Sequence, residues 1–253
     1  MMRSWSIALI AAWLASATGA GCTGCTGRTT RPATDRHDTG GATDMTTPPP
    51  PAAPDAGVTV AAADLPALAK RLEQLGYLEL FQRMDTHELD AVWTTSGAAL
   101  DPLVRAADQP GLARFLAAEI LYARAPGYPP ADARAALAEV YAAAMTQSGR
   151  TGTWRLAGNL WGLAYVDDDV GTAGAHLLAL GRDAIPALRG LLTGTDVIVY
   201  EGSEEATIGN DQAYRVKDLA AYYLGRIVGA PVTFQRDPRA RDREIAKLER
   251  SLP

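Results

Sequence analysis

From residue 64 to the end of the chain, apolar side chains recur every three or four positions, the spacing of one face of an α-helix. In DLPALAKRLEQLGY, Leu65, Leu68, Leu72 and Leu75 share a face, Asp64 offers a cap and Pro66 falls in the first turn, so a helix is predicted that ends at Gly76. A short helix over 78–84 and another over 86–93 follow. GAALDPLVRAADQPGLARFLAAEILYAR predicts helices over 98–107 and 111–124, parted by a turn with Pro110 and Gly111. The next stretch predicts helices over 131–147 and 153–165 around a Ser-Gly turn. GRDAIPALRGLL and YRVKDLAAYYLGRIVG form a third pair, joined by a long connection over 193–211. A last helix starts at the Asp237-Pro238 step and turns Ile245 and Leu248 inward. With Ala and Leu abundant and β-branched runs scarce, the fold class expected is all-α.

The second helices of these pairs resemble one another. ARFLAAEIL from Ala113, VKDLAAYYLGRI from Val216 and, more loosely, WRLAGNLWG from Trp154 share small residues ahead of a leucine or its equivalent, and the first helices share AALDPLVRA and AIPALRGLL. This layout resembles the HEAT-repeat family. Ile185, Pro186, Ala187, Leu188, Leu191 and Leu192 match its first helix, and Val216, Lys217, Ala220, Ala221 and Leu224 match its second. The resemblance covers 97–229 and implies a short α-solenoid of stacked antiparallel helix pairs. The composition alone would also suit an Ala-rich helical bundle. Small residues at Ala117, Ala118, Ala220 and Ala221 let helices approach closely in either arrangement.

The first 57 residues read differently. MMRSWSIALIAAWLASATGAGC has one charge at Arg3, an apolar run over 7–17 and then small residues, the layout of a secretory signal peptide over 1–21. The small residues before Cys22 resemble a bacterial lipobox, which makes Cys22 the lipidation candidate and Cys25 a less favoured one. Cleavage after Ala17 or Ala20, or an uncleaved anchor, are the alternatives. Residues 22–57 are rich in Gly, Thr and Pro with little to bury, so a disordered linker is expected, ahead of a helical domain over 58–253. Together these features resemble bacterial HEAT-repeat lipoproteins, which implies a cell-envelope location, lipid-anchored or else secreted. Both cysteines of the chain lie in the N-terminal stretch, so no disulfide or thiolate chemistry is expected in the domain.

The formal charge of -5, with 24 Lys and Arg interleaved among 29 Asp and Glu, argues against a nucleic-acid partner. Catalytic motifs are scarce. His37 lies in the linker, and His87 begins an HE pair whose second zinc-binding His would fall at Ala91, so a zincin reading fails. His176 sits among apolar residues as an expected satisfied imidazole. Asp167, Asp168 and Asp169 suit helix capping, with cation binding as the weaker alternative. The connection TGTDVIVYEGSEEATIGNDQAY carries Asp196, Glu201, Glu204, Glu205 and Asp211 with no Lys or Arg, and its Val197 to Tyr200 run should be extended. Long connections inside a domain tend to carry function. Glu201, Glu204, Glu205, Asp211 and Tyr214 are therefore the partner-binding candidates. The expected function is non-enzymatic protein binding or scaffolding with no cofactor. A metal-dependent hydrolase would need Asp167–Asp169, His176 and Glu204 or Glu205 to converge, and a purely structural envelope role is the third possibility.

Overall fold

Leucines and alanines at helical spacing bury themselves here by packing helix on helix. The structure, a computed structural model, describes residues 65–202, 204–233 and 235–252. The expected signal peptide, Cys22, Cys25, His37 and the linker lie outside the described residues. Ten α-helices and no strand occur among the described residues, and none of these helices is long and apolar enough to cross a membrane.

Helix α1 (Leu65–Tyr77) buries Leu68, Ala69 and Leu72 and breaks at Gly76, whose φ of 67° suits glycine. The chain then makes one π-helical turn, Leu78–Gln82. The helices expected over 86–93 and 98–107 are a single helix, α2 (His87–Arg105). The intervening Thr-Thr-Ser-Gly stays helical, with the Thr95 hydroxyl donating back to the Ala91 carbonyl at 2.7 Å instead of breaking the turn, and the Trp93 ring against Gly97. Helix α3 (Gly111–Arg124) follows as expected, and a 3-10 turn, Ala131–Ala133, leads into α4 (Arg134–Gln147).

The helix expected over 153–165 does not form. In its place are an irregular segment, a 3-10 turn at Gly158–Trp161 and the single turn α5 (Ala164–Asp167). Leu156, Leu160, Trp161 and Leu163 are nonetheless buried. The apolar positions that mimic a helix face are satisfied by wrapping the chain over an extended strip at 196–199. Arg150 N donates to Val197 O at 2.8 Å, Val199 N to Ser148 O at 3.2 Å and Gly158 N to Val199 O at 2.7 Å. On its other edge the strip is bonded by Ile198 N to Tyr214 O at 2.7 Å, and by Val216 N to Asp196 O at 2.9 Å. A Cβ at Gly158 would lie 2.6 Å from Ile198 Cγ2, so this close approach requires glycine.

Beyond this lie α6 (Gly171–Ala179), α7 (Ile185–Gly190), α8 (Glu204–Gln212), α9 (Val216–Val228) and α10 (Pro238–Ser251). The extended strip was expected; α8 within the acidic connection was not. Packing follows chain order: α1 and α2 on α3, α3 on α4, α4 on α7, α7 on α9, and α9 on α10. Ala117, Ala118, Ala220 and Ala221 are fully buried at these contacts. Helix α10 is capped by Asp237, which accepts from Arg239 N. It docks through an ionic cluster: the buried Asp218 carboxylate takes Arg215 Nε at 3.0 Å and Nη2 at 2.8 Å, and pairs with Arg241 Nη1 at 2.9 Å.

Candidate functional site

The π-helical turn after the break at Gly76 stands on one side of a gap, and the irregular segment after α4 on the other. Between them, with residues 199–202 at one end, lies a cleft of about 1140 Å³. Its irregular wall is rigidly held. Gln147 Oε1 accepts from Thr153 N at 2.8 Å and from Thr153 Oγ1 at 3.2 Å. Asp196 Oδ2 accepts from Thr151 N at 2.9 Å and Oγ1 at 2.7 Å, while its Oδ1 accepts from Val197 N at 3.0 Å. Desolvation pushes the Asp196 carboxyl up, but the Thr151 and Val197 donors and the Arg150 charge outweigh it and hold it below its ordinary value.

This wall presents Arg150, Trp154 and Arg155 to the cleft. Trp154 packs one side of its ring over Gly111, where a Cβ would come within 2.6 Å of it. Arg155 has a φ of 54°, in the left-handed region that a non-glycine residue enters at a cost. Its side chain is exposed. The opposite wall adds Glu73, Leu75, Tyr77 and the exposed Leu78. Glu201 stands at the end of the extended strip, where its N–H donates to Asn159 Oδ1 at 3.0 Å. Behind it, Tyr200 is fixed by reciprocal bonds with Asn210 and by its hydroxyl, which donates to the Gly162 carbonyl at 2.7 Å.

Of the residues singled out from sequence, Glu201 therefore lines the cleft. Glu204 and Glu205 are exposed in the first turn of α8, where carboxylates favour the helix dipole. Asp211 is exposed and paired with Arg236 at 2.7 Å. Tyr214 is a correction: it is fully buried, its ring lies 5.7 Å from Tyr165 and 6.1 Å from Tyr200, and the Arg241 guanidinium sits 5.9 Å over it. A side chain so enclosed holds the core together and offers a partner nothing to touch.

The acidic triplet is dispersed. Asp168 accepts from Arg226 at 2.7 Å and from the Tyr222 hydroxyl, and Asp169 Oδ1 accepts from Gly171 N at 3.1 Å at the start of α6. His176 pairs instead with Glu119 of α3, at 2.8 Å from Nδ1 to Oε1. It is stacked on Tyr122 at 3.8 Å, and Glu119 also accepts from the Tyr141 hydroxyl. Burial, and then the Glu119 charge, push the Tyr141 phenol well above its ordinary value. Among the described residues no group of three or more His, Cys, Asp or Glu side chains is arranged to hold a metal ion.

Sequence reasoning missed Glu119, Glu73, Arg150, Trp154 and Arg155. A carboxylate inside the apolar face of ARFLAAEIL was a visible signal for Glu119; the others look like ordinary surface residues until the cleft gathers them. No family model matches the chain, and no curated protein or solved structure matches it.

Proposed function

We propose that this chain is a non-enzymatic protein-binding module held at the cell envelope, and that it meets its partner at the cleft beside Glu201. The observation that carries this reading is Arg155. A left-handed backbone costs a non-glycine residue about 1–2 kcal/mol. Here the strained position follows a segment clamped by Gln147 and Asp196. It holds an exposed guanidinium at a cleft wall, and a contact made outside the chain gives that arrangement a purpose. Glu201 at the rim, with Glu204 and Glu205 nearby in sequence, adds charge that would steer a basic partner.

The helical domain is read further as a short HEAT-like solenoid. In support of this, helices pack in chain order, as they do in quasi-one-dimensional stacks, and the small residues of the matching segments in α3 and α9 are buried where helices meet. The middle unit departs from the pattern because its second helix is replaced by the irregular wall. The signal-like N-terminus and Cys22 lead to the envelope assignment, with lipidation at Cys22 as the anchor.

A photo-cross-linking residue in place of Leu78, at the cleft, is compared in cells with one in place of the exposed Glu139 on α4. The reading expects one protein adduct from position 78, absent from 139 and weakened when Glu201, Glu204 and Glu205 are all changed to Gln. The same adducts from both positions, or none, overturn it. Labelling with a fatty-acid analogue tests the anchor, expected to be lost in Cys22→Ala and kept in Cys25→Ala.

A further inference from the structure

We infer that the cleft takes an extended peptide segment carrying both a carboxylate and a cationic side chain, with Arg155 and Arg150 receiving the carboxylate; this rests on the protein-binding reading above. The first ground is charge. The cleft is lined by Glu73, Glu79 and Glu201 against Arg150 and Arg155. Glu79 is neutralised by Arg83 at 2.5 Å, which leaves two carboxylates and two guanidiniums on the lining, Arg150 also acting on Asp196. A polyanion or a polycation would satisfy one pair and repel the other, whereas a chain with both signs satisfies both.

The second ground is the apolar share of the wall. Leu75, Leu78, Leu112, Leu160 and Val199 line the cleft along with these charges, which suits a peptide that carries apolar as well as charged side chains. A sugar chain, hydroxylated on every residue, would leave most of these aliphatic groups without an apolar partner. The third is size, since 1140 Å³ exceeds the roughly 300–1,000 Å³ of a typical small-molecule pocket. The fourth is preorganisation. The backbone at Arg155 fixes where its side chain leaves the main chain before any ligand arrives, and its planar fork matches a carboxylate.

The test uses the full chain immobilised and a synthetic octapeptide library randomised over Lys, Glu, Leu and Ala, with chitotetraose as the sugar probe followed by tryptophan fluorescence. The parent should enrich peptides that contain both Lys and Glu. Arg155→Gly should weaken the selected peptides about tenfold or more, the loss of a charge-assisted bond. Its thermal midpoint should hold or rise, because glycine adopts this φ freely. Should the midpoint fall, Arg155→Asn, which also tolerates the left-handed region, takes its place. If Glu201→Gln loses the peptides and Arg155→Gly does not, the carboxylate assignment fails and the binding cleft stands. If the parent enriches nothing, or neither variant changes binding, the cleft reading fails with it. A response to chitotetraose in place of peptide overturns the peptide assignment.

Discussion

Replacing Asp218 by alanine removes the buried carboxylate that pairs with Arg241 of the last helix. Asp218 is fully buried, and besides its bonds to the Arg215 guanidinium it accepts from Arg215 N at 2.9 Å, closing the first turn of α9. Without it, the Arg241 guanidinium, with a side chain only 2% exposed, keeps weak contacts to the Gln212 and Ala213 carbonyls at 3.3 and 3.5 Å and the face of Tyr214. Breaking a buried pair by deleting one partner costs about 3–5 kcal/mol. Arg215 retains Asp242 at 2.8 Å, so the lower part of that range, about 3–4 kcal/mol, is expected. At about 2–4 °C per kcal/mol for a domain of this size, the midpoint should drop by about 6–16 °C. Calorimetry at neutral pH, with urea unfolding for the free energy, measures both. Because the pair is shielded from solvent, 1 M salt should change the difference little, unlike a surface pair. Changing both partners, Asp218→Leu with Arg241→Met, should recover much of the loss, since an apolar pair can replace a buried ionic one. A single variant within about 1 kcal/mol of the parent, or a double variant no better than Asp218→Leu alone, refutes the reasoning.

Gly174→Ala would place a Cβ 2.1 Å from the Tyr223 hydroxyl, which bridges the Trp161 and Val170 carbonyls at 2.5 and 2.8 Å; urea unfolding should show a loss of about 1–3 kcal/mol from overpacking. Glu119→Leu should cost about 1–3 kcal/mol by leaving the buried Tyr141 hydroxyl and His176 Nδ1 without their carboxylate, and adding Tyr141→Phe should return part of it. Acid sensitivity follows from Asp242, where desolvation is outweighed by bonds from Arg215 and Lys217 and the carboxyl is held below its ordinary value. A depressed folded value gives stability that is complete above about pH 4, the unfolded value, and is lost as pH falls through the folded one. The urea midpoint of the parent should therefore decline below about pH 4, and that of Asp242→Asn should decline less.

The helices that read correctly from sequence, α3 and α9 above all, are those whose apolar and small residues face a neighbouring helix, so that periodicity and burial coincide. Residues 153–165 have the same apolar spacing but meet the strip at 196–199. There, Trp161 Nε1 donates to Ser148 Oγ at 2.9 Å and Gly158 lies against Ile198 and Tyr200, contacts a continuous helix could not make. Local propensity was overridden by a partner about forty residues away, which no local pattern reports. The α8 helix was foreshadowed by Glu204 and Glu205 in its first turn, yet its mixed, Gly-containing sequence masks the period. Tyr214 was misplaced because its acidic neighbours in the chain are exposed while its own ring turns inward. Glu201 was recoverable as a candidate, but Arg155, which lines the same cleft, belongs to the segment whose helix never forms.

The strip at 196–199 also governs how the domain comes apart. A stack joined only through neighbouring units can shed them from either end, one at a time. Here the Thr151–Asp196 bonds span 45 positions, so α6 and α7 lie inside a closed loop and cannot leave until its clasp opens. Hydrogen exchange should accordingly find one cooperative block from α4 through α9, with α1 opening separately at lower free energy. The cleft lies on the seam between the two, one wall belonging to the block and the other to the freer helix.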